Sequence, residues 1–259
     1  MKGTPVRWMA SFGGLALLVG LGGTLGLSRA DRSVLFGPSQ ELTVQGELRT
    51  YRRSLPKNPP ERLVVVLHAF GGSGRRIAYL TGVHNVVGDA TLVLYPDASP
   101  PTSREYEPGW NAGYCCGSGW IGDIADVAFL VALIDRYTLE YSIPARQVFV
   151  AGFSNGAMLA MRFASEHPER CGGVIAASGS VGTEASQLHP THPVPILLMH
   201  GERDTLVPYA GGPGSSDPSI VWLGFAATRR VWEAVNGPSA TLTRVLTYPE
   251  DGHQWHDWR

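Results

Sequence analysis

The chain has 259 residues, a formal charge of -1 and a sequence pI of about 6.7. That length supports one substantial hydrophobic core, and the near-zero charge excludes the basic footprint that nucleic acid or an anionic membrane surface demands. No nucleic-acid partner is expected. Neither C-x-x-C nor a histidine pair at i, i+4 is present, so no metal is expected and nothing calls for another cofactor.

Lys2 and Arg7 precede an uncharged stretch over residues 8–27, and Ser28-Arg29-Ala30 then offers small residues at the two positions a signal peptidase reads. The pattern predicts a signal peptide over residues 1–30 and a secreted or periplasmic protein, with 31–259 forming a single domain. An uncleaved membrane anchor is the alternative, since about 20 apolar residues span a bilayer. Six glycines between Gly13 and Gly26 lower the hydropathy and favour cleavage after Ala30. Export permits disulfides, and Cys115, Cys116 and Cys171 allow at most one intramolecular pair. A bridge from Cys115 or Cys116 to Cys171 is one candidate, and a vicinal Cys115–Cys116 bridge, which requires a strained local backbone, is the other.

Residues 41–54 alternate in patches around Gly46, predicting an antiparallel strand pair ahead of the main sheet. LVVVL at 63–67 is the branched apolar run of a central, doubly covered strand, and it ends in a Gly-rich loop from His68 to Gly74. A short helix is predicted over 76–82 and a strand over 91–95. Residues 97–122 form a long, aromatic-rich loop of the kind that is usually functional. A helix over 123–140, with Asp123 near its N-terminus, precedes a strand over 147–150. Further strands are predicted at 173–177, 196–199 and 242–246, and a helix over 221–235 anchored by Trp222 and Trp232. Strands alternating with helices imply an α/β fold with a mostly parallel central sheet and helices on both faces.

The sharpest motif is Gly152-Phe153-Ser154-Asn155-Gly156, which closes a strand and opens a helix. This is the G-x-S-x-G pattern of a nucleophile elbow, whose tight turn admits only glycine beside the serine. A serine hydroxyl needs an imidazole to take its proton and a carboxylate to orient that imidazole. In this setting the acid and the histidine follow the serine in that order. Asp204 lies in the loop after the 196–199 strand, with Glu202, Glu250 and Asp251 as rivals, and His253 follows the last strand behind Gly252. His256 is the rival base. His68 and His200, directly after strands, are read as loop braces, and His84, His167, His189 and His192 as surface residues. Asn155 N–H at the helix start and Phe70 N–H, with Gly71 next, are the expected oxyanion donors. Trp110, Tyr114 and Trp120 are the candidate substrate-binding aromatics in the long loop.

Taken together, LHAFGGSG at 67–74, YPDA at 95–98, WNAGYCCG at 110–117, GFSNGAM at 152–158, HGERDTLVPYAGG at 200–212 and GHQW at 252–255 resemble the polyhydroxybutyrate depolymerase-like secreted esterases. That group is close to the feruloyl and acetylxylan esterases of carbohydrate esterase family 1. The resemblance implies an α/β-hydrolase fold, Ser154 as nucleophile, Asp204 as acid and His253 as base. It also implies a monomer acting on a small-molecule, oligosaccharide or oligoester substrate, with no membrane partner once the leader is removed. The family loop usually reads His-Gly where this chain has His68-Ala69. If that position requires left-handed backbone, alanine costs about 1–2 kcal/mol. Many relatives carry a cysteine after the Asn-Gly that matches Asn236-Gly237, where this chain has Pro238, which leaves Cys171 as the expected disulfide partner.

Overall fold

The apolar run at 63–67 forms the heart of β3 (Arg62–Leu67), which pairs in parallel with β4 (Thr91–Pro96) on one side and β5 (Val148–Phe153) on the other. Leu63, Val65 and Leu67 are fully buried, as a strand covered on both faces requires. The computed structural model describes residues 27–99, 107–117, 119, 122–182, 188–215, 217–237 and 242–253. Beyond β5 the sheet continues in parallel through β6 (Gly173–Ala177), β7 (Ile196–Gly201) and β10 (Thr243–Tyr248). At the other edge β1 (Gln40–Val44) and β2 (Glu47–Ser54) form the expected hairpin, turned by Gln45 and Gly46 at φ 52° and 85°. β2 also pairs antiparallel with β4, so the hairpin is the edge of the main sheet rather than a unit ahead of it. The eight strands run β1-β2-β4-β3-β5-β6-β7-β10.

α2 (Gly74–Thr81) starts on the Ser73 hydroxyl, which accepts from Arg76 N–H, and stops at Gly82 in the left-handed region. α3 (Asp126–Tyr141) presents Phe129, Leu130, Leu133, Ile134 and Tyr137 to the core. Its first turn holds Asp126 rather than Asp123. Asp126 is buried, bonds Arg49 of β2 at 2.6 Å and accepts Asn111 N–H at 2.7 Å, so α3 ties the edge hairpin to the long loop. α4 (Asn155–Glu166) is apolar almost all round because it lies over β5 and β6.

Two expectations change. The helix predicted over 221–235 begins only at Phe225, giving α5 (Phe225–Asn236). Val221–Trp222 is instead a short strand, β9, paired with β8 (Gly212–Pro213), and Gly224 at φ 79° separates strand from helix. Trp232 is fully buried as the anchor of α5, whereas Trp222 anchors the short hairpin. The Asn236 amide binds both the N–H and the C=O of Val194, a latch that fixes the end of α5 without a cysteine.

α1 (Arg29–Phe36) has no counterpart in the sequence reading, because only Val34 and Leu35 are buried and two positions make no period. Ser28 caps it: its hydroxyl accepts Asp31 N–H and its own N–H donates to the Asp31 carboxylate. Asp31 also accepts from Asn85 Nδ2 at 2.8 Å and His84 Nε2 at 3.0 Å, while His84 Nδ1 meets the Tyr95 hydroxyl at 2.7 Å. His84 is therefore an interior clamp on α1 and not the surface residue expected. Burial opposes ionisation of Asp31, but hydrogen bonds from Asn85, Ser28 and His84 outweigh it and lower its pKa to about 2.

Candidate active site

Ser154 sits between β5 and α4 at φ 54° and ψ -121°, a backbone conformation that non-glycine residues rarely hold. Packing enforces it. A Cβ on Gly156 would lie 2.5 Å from the carbonyl oxygens of Leu67 and His68, and one on Gly152 would strike the Gly156 carbonyl. The two motif glycines are thus where α4 touches the ends of β3 and β5, as the turn argument anticipates. Ser154 N–H donates to Ala177 O at 2.8 Å, tying the elbow to β6.

The structure brings Asp204 and His253 to this serine. The Ser154 hydroxyl lies 2.9 Å from His253 Nε2, and His253 Nδ1 lies 2.7 Å from Asp204 Oδ2. These partners set the tautomer: Nδ1–H donates to the carboxylate, and Nε2 accepts from the serine. Asp204 Oδ1 accepts Leu206 and Val207 N–H, both at 2.9 Å. Burial alone would push the Asp204 carboxyl up, but donors from His200, His253 and Val207 lower it to about 2. Gly201 allows the histidine loop to close on the acid loop, because a Cβ there would strike the carbonyls of Gly252 and Asp251. Arg203 N–H donates to Asp251 O at 2.9 Å, and Arg203 pairs with Glu250. Glu250 and Asp251 thus shape the loop while Asp204 meets the imidazole. His256 lies outside the described residues.

Phe70 belongs to a loop held on both sides. Gly71 N–H donates to Pro108 O at 2.8 Å, and the His68 imidazole spans from Ala69 O on Nδ1 to Ala98 N–H on Nε2. Burial pushes the His68 imidazole pKa down, in keeping with a neutral brace. Ala69 is not among the positive-φ residues, and Gly71 at φ 68° takes the left-handed position, so alanine at 69 carries no backbone penalty. Asn155 heads α4, where first-turn N–H groups lack intrahelical acceptors. Its side chain makes two bonds to the Trp110 backbone, at 2.7 Å and 3.0 Å.

Trp110 is corrected. It is fully buried, its Nε1–H donates to His68 O at 2.9 Å, and its ring lies 4.7 Å from the His68 ring. It braces the loops behind the serine and offers no face to a ligand. Tyr114 is half-buried, donates its hydroxyl to Ser180 O at 2.8 Å and meets the Trp222 ring edge-on at 6.0 Å. Trp120 lies outside the described residues.

The disulfide expectation is also corrected. Cys115 bonds Cys116, while Cys171 is a free, buried thiol whose pKa burial raises to about 11. The vicinal bridge has the unusual backbone it needs, with Cys116 at φ 132°. It packs with Ala112, Met158, Val207 and Trp222 in a small apolar cluster beside the first turns of α4. The sequence reading also missed His200 as a partner of the acid, at 3.2 Å from Asp204 Oδ2. The available signal was its place four residues before Asp204 at the end of a buried strand.

A mostly parallel sheet, helices on both faces and a serine on the strand-to-helix turn define an α/β-hydrolase fold. Solved structures share it: esterase PE8 aligns at a TM-score of 0.60 with 22% identity over 80% of this chain and 91% of its own. The ferulic acid esterase AmCE1/Fae1A of Anaeromyces mucronatus, solved with ferulic acid, aligns at 0.57 with 16% identity over 84% and 85%. The phospholipase/carboxylesterase family matches residues 124–217. NocK of Nocardia uniformis subsp. tsuyamanensis, named as an esterase, is 31% identical over 190 residues, covering 67% of this chain and 50% of its own. Feruloyl esterase C of Aspergillus clavatus is 27% identical over 176 residues, covering 64% and 58%. The chain therefore spans only about half the length of these curated relatives.

Proposed function

We propose that this chain is an exported serine esterase that hydrolyses carboxylic esters through an acyl-enzyme. The observation that carries the reading is the chain of two contacts, Ser154 to His253 at 2.9 Å and His253 to Asp204 at 2.7 Å, assembled from three separate loops. Ser154 Oγ attacks the ester carbonyl as His253 Nε2 takes its proton, and Asp204 stabilises the imidazolium that forms. The carbonyl oxygen becomes an oxyanion held by Asn155 and Phe70 N–H, where loss of one such donor typically lowers the rate about 100- to 1000-fold. Collapse expels the alcohol, protonated by His253. Water then attacks the acyl-enzyme by the same route and releases the acid.

The proposed substrates are feruloyl or acetyl esters of polysaccharide, or short hydroxyalkanoate oligomers. Relatives named esterase and feruloyl esterase support an ester substrate and keep a feruloyl group among the candidates. The test is a hydrolysis panel of methyl ferulate, acetylated xylan and hydroxybutyrate oligomers, with Ser154→Ala as the blank. Turnover that survives in Ser154→Ala removes the assignment. Preferential transfer of the acyl group to an added alcohol or amine identifies a transferase instead.

A further inference from the structure

His200 is fully buried at the end of β7, and its ring meets Tyr209 and Phe225 edge-on at 5.9 Å and 5.7 Å. Those two rings stack on each other at 5.2 Å. Polar engagement of the imidazole is confined to one nitrogen. Nε2 lies 2.9 Å from Val207 O and 3.2 Å from Asp204 Oδ2, whereas Nδ1 has no hydrogen-bond partner among the described residues. A carbonyl and a carboxylate are both acceptors, so the proton belongs on Nε2 and is shared between them.

This arrangement completes the holding of Asp204. Two backbone N–H groups fix Oδ1, but they leave the other oxygen free to swing with the carboxylate plane. Oδ2 accepts His253 Nδ1–H and lies 3.2 Å from His200 Nε2. His200 Nε2–H donates to Val207 O and Val207 N–H donates to Oδ1, so with the 3.2 Å approach of Nε2 to Oδ2 the three residues close a ring of polar contacts. A residue that only braced the loop would need the Val207 contact alone.

We propose that His200 is a positioning residue of the esterase site, which orients the Asp204 carboxylate so that Oδ2 faces His253 Nδ1–H. It acts through Asp204 and touches no substrate. The proposal rests on the triad reading above, so its test includes a signal that needs no turnover. His200→Leu removes the donor and keeps the bulk apolar, whereas His200→Gln can return an N–H near the position of Nε2. In the full-length protein, the His253 Nδ1–H proton is followed by NMR, and kcat and KM are measured on a short p-nitrophenyl ester.

The expected result is that His200→Leu shifts or broadens that proton resonance and lowers kcat about tenfold with KM unchanged. Tenfold is the scale of losing one hydrogen bond to a charged group. His200→Gln restores both. A His200→Leu protein that is folded, with an unmoved resonance and native kcat, overturns the proposal. Failure of all ester hydrolysis in the native protein strikes the functional reading instead, while the resonance still reports on His200. If both variants fail to fold, histidine labelled with nitrogen-15 decides: a His200 Nε2–H resonance that moves in Asp204→Ala supports the role, and one that does not move, or a proton on Nδ1, overturns it.

Discussion

At Ser154 the fold holds a serine in a conformation that costs about 1–3 kcal/mol, and the neighbouring contacts leave it no alternative. Gly156 is one of those contacts, and a methyl group there meets two backbone carbonyls that cannot rotate away. Gly156→Ala should destabilise the protein by about 1–3 kcal/mol, read as a lower denaturant midpoint. Asp204 and Asp31 supply a separate test. Both carboxyls are held at about 2 in the folded chain against 3.8 for a free aspartate, so the unfolded chain binds more protons between those limits. Their contribution to stability is fully present above about pH 4 and is lost as pH falls toward 2. The denaturant midpoint should fall across that window, and less steeply in Asp31→Asn, which leaves the triad untouched. An equal fall in both proteins would mean that Asp31 is not held ionised by the α1 clamp.

At the scale of elements, the long loop turns out to be the frame of the site. Its Trp110 backbone grips Asn155, its indole grips the His68 carbonyl, and Pro108 O receives Gly71 N–H. The sequence showed aromatic residues in a loop and suggested ligand contact. It did not show that the indole N–H and the ring are both spent on backbone and histidine, because such pairings connect residues more than 40 positions apart. The cysteines have the same lesson in reverse, since the bridge joins the nearest neighbours. Denatured, unreduced protein should therefore alkylate once, at Cys171, and three times after reduction. Labelling at Cys115 or Cys116 without reduction would contradict the vicinal bridge. α1 was invisible for a plainer reason, as its order comes from a cap and a clamp rather than an apolar face. In the uncleaved chain, which keeps Ser28, Ser28→Ala should cost about 1 kcal/mol locally and speed amide exchange across residues 29–36 without changing kcat. Unchanged exchange would show that the clamp, not the cap, holds the helix.

Across the whole molecule, the parallel core was legible because β3, β5, β6 and β7 are short apolar runs at the spacing of strand-helix units. The elbow was legible because its glycines answer a local steric demand. Asp204 and His253 were legible by order along the chain, since parallel β5, β7 and β10 end on the same edge of the sheet, from which the acid and histidine loops reach the elbow. What sequence order does not contain is the packing behind those ends: the ring of contacts through His200 and Val207, and the Asn155 clamp. The central claim is that the assembled contacts activate Ser154, and a fluorophosphonate probe tests it without knowledge of the natural ester. Incubated with the folded protein and mapped by mass spectrometry, the probe should form one adduct, on Ser154, and the adduct should be lost in His253→Ala. A folded native protein that remains unlabelled at Ser154 would contradict the account.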